Sequence, residues 1–129
     1  MSMEITFPGG VAVNASYRGF TIGTDQPEDA GGQNAAPAPF EFFLASIGTC
    51  AGYFALRFCQ QRELSTEGLK LTMEWERDSQ THRLSRVKLI FHLPEGFPEK
   101  YHRAILRAAD QCSVKRTIHN PPEFEMITQ

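Results

Sequence analysis

Pro39-Phe40-Glu41-Phe42-Phe43-Leu44-Ala45-Ser46-Ile47-Gly48-Thr49-Cys50-Ala51-Gly52-Tyr53-Phe54-Ala55-Leu56-Arg57-Phe58-Cys59 is the stretch whose reading decides the fold. Proline suits the first turn of a helix, and no further proline occurs from Phe40 to Glu63. Phe42, Phe43, Leu44, Ile47, Tyr53, Phe54, Leu56 and Phe58 surround this segment with apolar groups, and charge appears only at Glu41, Arg57, Arg62 and Glu63. A helix that is apolar nearly all round is expected to be buried. Ala45, Ser46, Gly48, Thr49, Ala51, Gly52 and Ala55 add a small-residue stripe. Each glycine costs about 1 kcal/mol relative to alanine in a helix interior. Close approach by another helix or by a substrate is the expected compensation.

Upstream, Asp25 to Pro39 holds Pro27, Gly31, Gly32, Asn34 and Pro37 with almost no large apolar residue, so it reads as a loop. Its length points to function or mobility. Before it, Ile5 to Val13 and Phe20 to Thr24 read as two short strands joined by a turn near Ser16 to Gly19. Downstream, Leu69, Leu71, Met73 and Trp75 alternate with Lys70, Thr72, Glu74 and Glu76, the period of a half-buried strand. A turn at Asp78-Ser79-Gln80 and a second strand from Leu84 to Leu93 complete an expected antiparallel hairpin. Glu99 to Gln111 predicts an amphipathic helix with Cys112 at or just past its end. After Asn120-Pro121-Pro122, a last strand is expected over Glu123 to Thr128. Helices and strands do not alternate as in a doubly wound sheet, so the class is α+β.

The chain has 129 residues, 41% hydrophobic and 22% charged, with net charge −2. That fits one soluble domain spanning residues 1–129. Thirteen Lys and Arg scattered among fifteen acids give no basic run for a nucleic-acid backbone. No apolar stretch approaching eighteen residues is evident, which argues against a membrane span. Met1 to Thr6 lacks a signal-peptide pattern, so a cytoplasmic location, with thiols kept reduced, is expected. A domain this small rarely covers so apolar a helix by itself, which predicts an obligate, intertwined dimer.

Three cysteines in a reducing compartment are either inert core residues or reactive ones. Cys50 lies in the small-residue stripe, where there is room beside a sulfur; the alternative is a packing cysteine at a close helix contact. Cys59 is nine positions later, on the opposite face at about 100° per residue, and next to Phe58; it reads as structural. Cys112 precedes Lys115 and Arg116, whose charge favours a thiolate, whereas a helix C-terminus disfavours one. Sequence leaves that balance open. His82, His92, His102 and His119 show no metal-ligand spacing with the cysteines, so a metal cofactor is not expected. A serine-hydrolase elbow and a phosphate-binding loop are also missing.

Pro37 to Cys50, running as a proline, a carboxylate, an apolar pair and small residues into a cysteine, resembles the first-cysteine helix of the OsmC/Ohr family, the osmotically inducible and organic hydroperoxide resistance proteins. Cys112-Ser113-Val114-Lys115-Arg116-Thr117-Ile118 is similar to the family's second-cysteine segment. The separation of about sixty residues also fits. The resemblance implies antiparallel sheets packed on a long buried central helix in an intertwined homodimer. It further implies reduction of organic hydroperoxides by a reactive Cys50 and a resolving Cys112, regenerated by a dithiol or a lipoylated protein. Arg18 and Glu41 match the arginine and glutamate that assist the thiolate in peroxidase members. Glu41 stands nine residues before Cys50, opposite it on an ideal helix, and could instead favour the helix N-terminus. Arg18 could equally be a solvated turn residue. On the same scaffold, a small-molecule-binding protein and a thiol or sulfur carrier are the alternatives.

Overall fold

The computed structural model describes residues 1–129, which divide into two compact units, residues 1–45 and 46–129. The first unit contains an antiparallel meander of three strands rather than two: β1 (Glu4–Gly9), β2 (Ala12–Tyr17) and β3 (Phe20–Thr24). Gly9 and Gly10 are responsible. With φ of 150° and 58° they turn the chain where the sequence reading ran one strand through to Val13. Pro8 is tolerated because β1 is an edge strand, and the pairing register slips by one residue between Thr6 and Gly9. The second turn is Arg18-Gly19, where Tyr17 pairs with Phe20 across the hairpin.

The loop from Asp25 onward is pinned. The Asp25 carboxylate accepts hydrogen bonds from the amides of Gln33 and Ala35, both at 3.1 Å. The Ala35 amide, followed by that of Gln26, holds this carboxyl below its ordinary pKa against the opposing effect of burial. A single 3₁₀ turn, Glu28–Ala30, fills the middle. Gly32 is required here, since a Cβ would fall 1.9 Å from the Gln26 carbonyl oxygen.

Helix α1 runs from Pro39 to Gln61. In the second unit it is followed by β4 (Lys70–Arg77), β5 (Leu84–His92), a 3₁₀ turn (Glu99–Tyr101), α2 (His102–Ala109) and α3 (Ser113–His119). The expected hairpin is present: Leu71 pairs with Phe91, Met73 with Leu89 and Trp75 with Val87 on one face. On the other face Glu74 meets Lys88 at 3.9 Å and Glu76 meets Arg86 at 4.0 Å. These exposed pairs contribute little individually. Ala55, Phe58 and Cys59 of α1 form a core with Ile105 of α2, and Leu69, Phe91, Leu93 and Tyr101 pack around it.

A single chain covers α1 only in part, as the sequence reading anticipated. Helix α1 buries one side, Ile47, Ala51, Ala55, Phe58 and Cys59, and leaves Tyr53 and Leu56 exposed. Within the chain nothing presses on its glycines: Gly48 faces the Met73 sulfur at ordinary contact distance and Gly52 meets nothing within 4 Å. Its mean hydropathy of 1.4 over eighteen residues is that of a membrane span, because Gly, Ala, Ser and Thr lower the average only slightly. The packed face marks it as a core helix. Finally, Glu123 to Thr128 forms no strand: Phe124 and Met126 alternate suitably but, like Ile127 beside them, have no strand partner, and their side chains are exposed.

Candidate functional site

Cys50 and Cys112, far apart in sequence, meet in the second unit. Helix α1 carries Cys50 and leaves it half-buried, since its neighbours on the helix are small. Cys112 lies between α2 and α3 and is 1% exposed. It lies just past the end of α2, as the sequence suggested, and also opens α3. Its sulfur is the N-cap of α3 and accepts the Lys115 amide at 3.4 Å. Both thiols are free.

The two sulfurs differ electrostatically. Partial burial of Cys50 is the largest single influence and opposes ionisation. Against it act the Val114 amide, the Cys112 thiol, and the hydroxyl and amide of Ser113, which together bring the pKa below the ordinary thiol value. Cys112 moves the other way. Burial pushes its pKa up and outweighs the Lys115 amide, and the adjoining Cys50 sulfur pushes further in the same direction. The pair is therefore graded, with Cys50 as acceptor and Cys112 as donor.

The balance left open at Cys112 is resolved by burial, not by either of the two effects weighed from sequence. Lys115 does not supply a free cation, because its ammonium pairs with Asp110. Cys59 is fully buried among Ala55, Phe58 and Ile105, and its pKa is raised by burial, which the charge of Arg62 only partly offsets. It belongs to the core. A cavity of about 110 Å³ lies alongside Cys112, lined by Ile47, Ala51, Leu89, Phe91 and Leu106.

Arg18 and Glu41 belong to the first unit. Arg18 sits at the tip of the β2–β3 turn with φ of 51°, its guanidinium 5.6 Å from the Tyr17 ring and 5.7 Å from the Phe20 ring. Glu41 lies in the first turn of α1, where a carboxylate favours the helix's positive end. The residue that sequence reasoning missed is Ser113. Its hydroxyl oxygen stands 3.7 Å from the Cys50 sulfur, a contact across 63 positions that no local pattern announces.

No curated protein matches the chain. Among solved structures, an osmotic-stress and detoxification-response candidate from Psychrobacter arcticus superposes with a TM-score of 0.78 at 20% identity, over 92% of this chain and 88% of that one. An OsmC-like protein from Mycoplasma pneumoniae gives a TM-score of 0.69 at 14% identity, over 94% and 89%. A Legionella pneumophila protein described as an organic hydroperoxide resistance protein OsmC gives 0.59 at 17%, over 92% and 89%. At such identities the likeness establishes the fold alone. The family model for OsmC-like proteins matches residues 31–127, which include both cysteines of the pair. With that match over most of its length and an α+β fold shared with those structures, the chain belongs to the OsmC-like protein family.

Proposed function

We propose that this chain is a thiol peroxidase that reduces organic hydroperoxides through Cys50 and Cys112. The observation that carries the reading is the graded pair: an accessible sulfur of lowered pKa in hydrogen-bond contact with a buried thiol of raised pKa. A thiolate is the form that attacks peroxides, and it needs a resolving thiol within reach.

The Cys50 thiolate attacks the terminal oxygen of the hydroperoxide, forming an S–O bond as the O–O bond breaks. Cys50 becomes a sulfenic acid, and the departing alkoxide takes a proton from solvent to leave as an alcohol. The Cys112 sulfur then attacks the Cys50 sulfur, giving a disulfide and releasing water. A dithiol, such as the lipoyl group of a partner protein, restores both thiols by exchange while becoming a disulfide itself.

Arg18 and Glu41 are proposed as the groups that hold the thiolate and polarise the peroxide. The family match runs across both units, which supports one working domain. Exposed Phe7, Tyr53, Phe124 and Met126 support a homodimer in which apolar surface is covered by a second copy.

The decisive experiment supplies cumene hydroperoxide and dithiothreitol to the purified chain. Cys50→Ser is expected to abolish peroxide consumption, and Cys112→Ser to leave a long-lived sulfenic acid on Cys50 that dimedone captures. If Cys50→Ser consumes peroxide as fast as the parent, the enzyme reading is wrong. The apolar cavity beside Cys112 favours one second reading, a binding protein for a compact apolar molecule, and that reading gains if neither protein turns over peroxide.

A further inference from the structure

Ser113 follows Cys112 and is the first residue of α3. Serine near a helix start ordinarily earns its place by capping, accepting an amide hydrogen two or three residues on. Here that role belongs to the Cys112 sulfur, which accepts the Lys115 amide. The helix therefore does not need the Ser113 hydroxyl. What the hydroxyl does meet is the Cys50 sulfur, at 3.7 Å.

We propose that Ser113 is a positioning residue for Cys50, its hydroxyl donating to the Cys50 sulfur and holding it ionised and directed toward the Cys112 turn. This rests on the reading of Cys50 as the nucleophile. The reasoning is chemical. Either atom of the pair can donate while Cys50 is a thiol. A thiolate has no hydrogen, so in the attacking form the serine must be the donor. Hydrogen bonds to an ionised acceptor are stronger than those between neutral groups, so the contact favours the thiolate over the thiol. The other donors to this sulfur are the amides of Ser113 and Val114 and the thiol of Cys112. Backbone amides are fixed by the fold and Cys112 is spent in the reaction. Among the donors that the structure shows at this sulfur, Ser113 is thus the one side chain that is not consumed. Once a Cys50–Cys112 disulfide forms, the sulfur is a poor acceptor and the hydroxyl is released, so the bond belongs to the reduced state.

The test is the pH dependence of Cys50 alkylation by iodoacetamide in the reduced full-length chain, followed site by site by mass spectrometry. Ser113→Ala is expected to move the Cys50 midpoint upward by roughly half a unit to one unit, a three- to tenfold smaller thiolate fraction at neutral pH. Ser113→Thr, which keeps the hydroxyl, is expected to retain the parent midpoint. Far-UV circular dichroism monitors folding. Should the alanine variant not fold, the isosteric pair Ser113→Thr and Ser113→Val makes the same comparison. An unshifted midpoint in the hydroxyl-free variant overturns the proposal, as does a threonine variant shifted as far as alanine. Because no peroxide enters this measurement, its outcome is separate from that of the turnover assay. A chain that consumes no peroxide but shows the Ser113→Ala shift loses the enzyme reading and keeps the contact.

Discussion

The groups that the structure shows favouring ionisation of Cys50 come from Cys112, Ser113 and Val114, so the state of a residue on one helix is tuned by the start of another. The small neighbours of Cys50 were legible in sequence, and so was the structural role of Cys59, because both follow from helical spacing. Ser113 was not. Its contact is created by tertiary folding, and the residue looked like filler between a cysteine and two cations. Lys115 shows the converse error: as a nearby cation it seemed a candidate to acidify Cys112, but its charge is paired with Asp110 and only its amide reaches the sulfur. These placements predict a clear order of reactivity. At pH 7.5 with limiting iodoacetamide, Cys50 is expected to be modified first. Cys112 should lag, and Cys59 should stay unmodified until the chain is unfolded; peptide mapping after brief exposure reads all three. Early labelling of Cys59 would show that its burial is not what protects it.

Among elements, the hairpin and α1 were read well because their hydrophobic periods are long and uninterrupted. The β1–β2 turn was missed because Gly9-Gly10 beside Pro8 resembles a break within one strand as much as a turn between two. Glu123 to Thr128 was over-read for the opposite reason. Alternation is necessary for a strand, but a strand also needs a neighbour to satisfy its backbone. Helix α2 shortened because its first turn tightens into a 3₁₀ turn at Glu99–Tyr101 and its end yields to the Cys112 turn. What holds α2 is Ile105, fully buried against Ala55, Phe58 and Cys59. Ile105→Ala is expected to lower unfolding stability by about 2–5 kcal/mol, measured by urea denaturation, since a cavity is left where α1 and α2 meet. A loss under 1 kcal/mol would mean that the core closes around the gap.

For the whole chain, composition calls for a buried central helix, and the small size of the domain implies that one chain does not cover it alone. One side of α1 is packed by the hairpin and α2; Tyr53 and Leu56 on it remain exposed. Phe7, Phe20 and the apolar residues of the last segment add further exposed surface. Sedimentation velocity at micromolar concentration is expected to give twice the chain mass, and Tyr53→Glu to shift the population toward monomer. A monomer at all concentrations would contradict the homodimer. The unequal exposure of the two sulfurs has one more consequence, for the return half of the cycle. In the proposed cycle an incoming thiolate would attack the Cys50 sulfur, because Cys112 is buried, and Cys112 would be the leaving group. Burial makes Cys112 a basic thiolate and hence a reluctant leaving group. If the chain runs the proposed cycle, the arrangement that eases oxidation slows recovery, and under steady peroxide the cross-linked form is expected to accumulate.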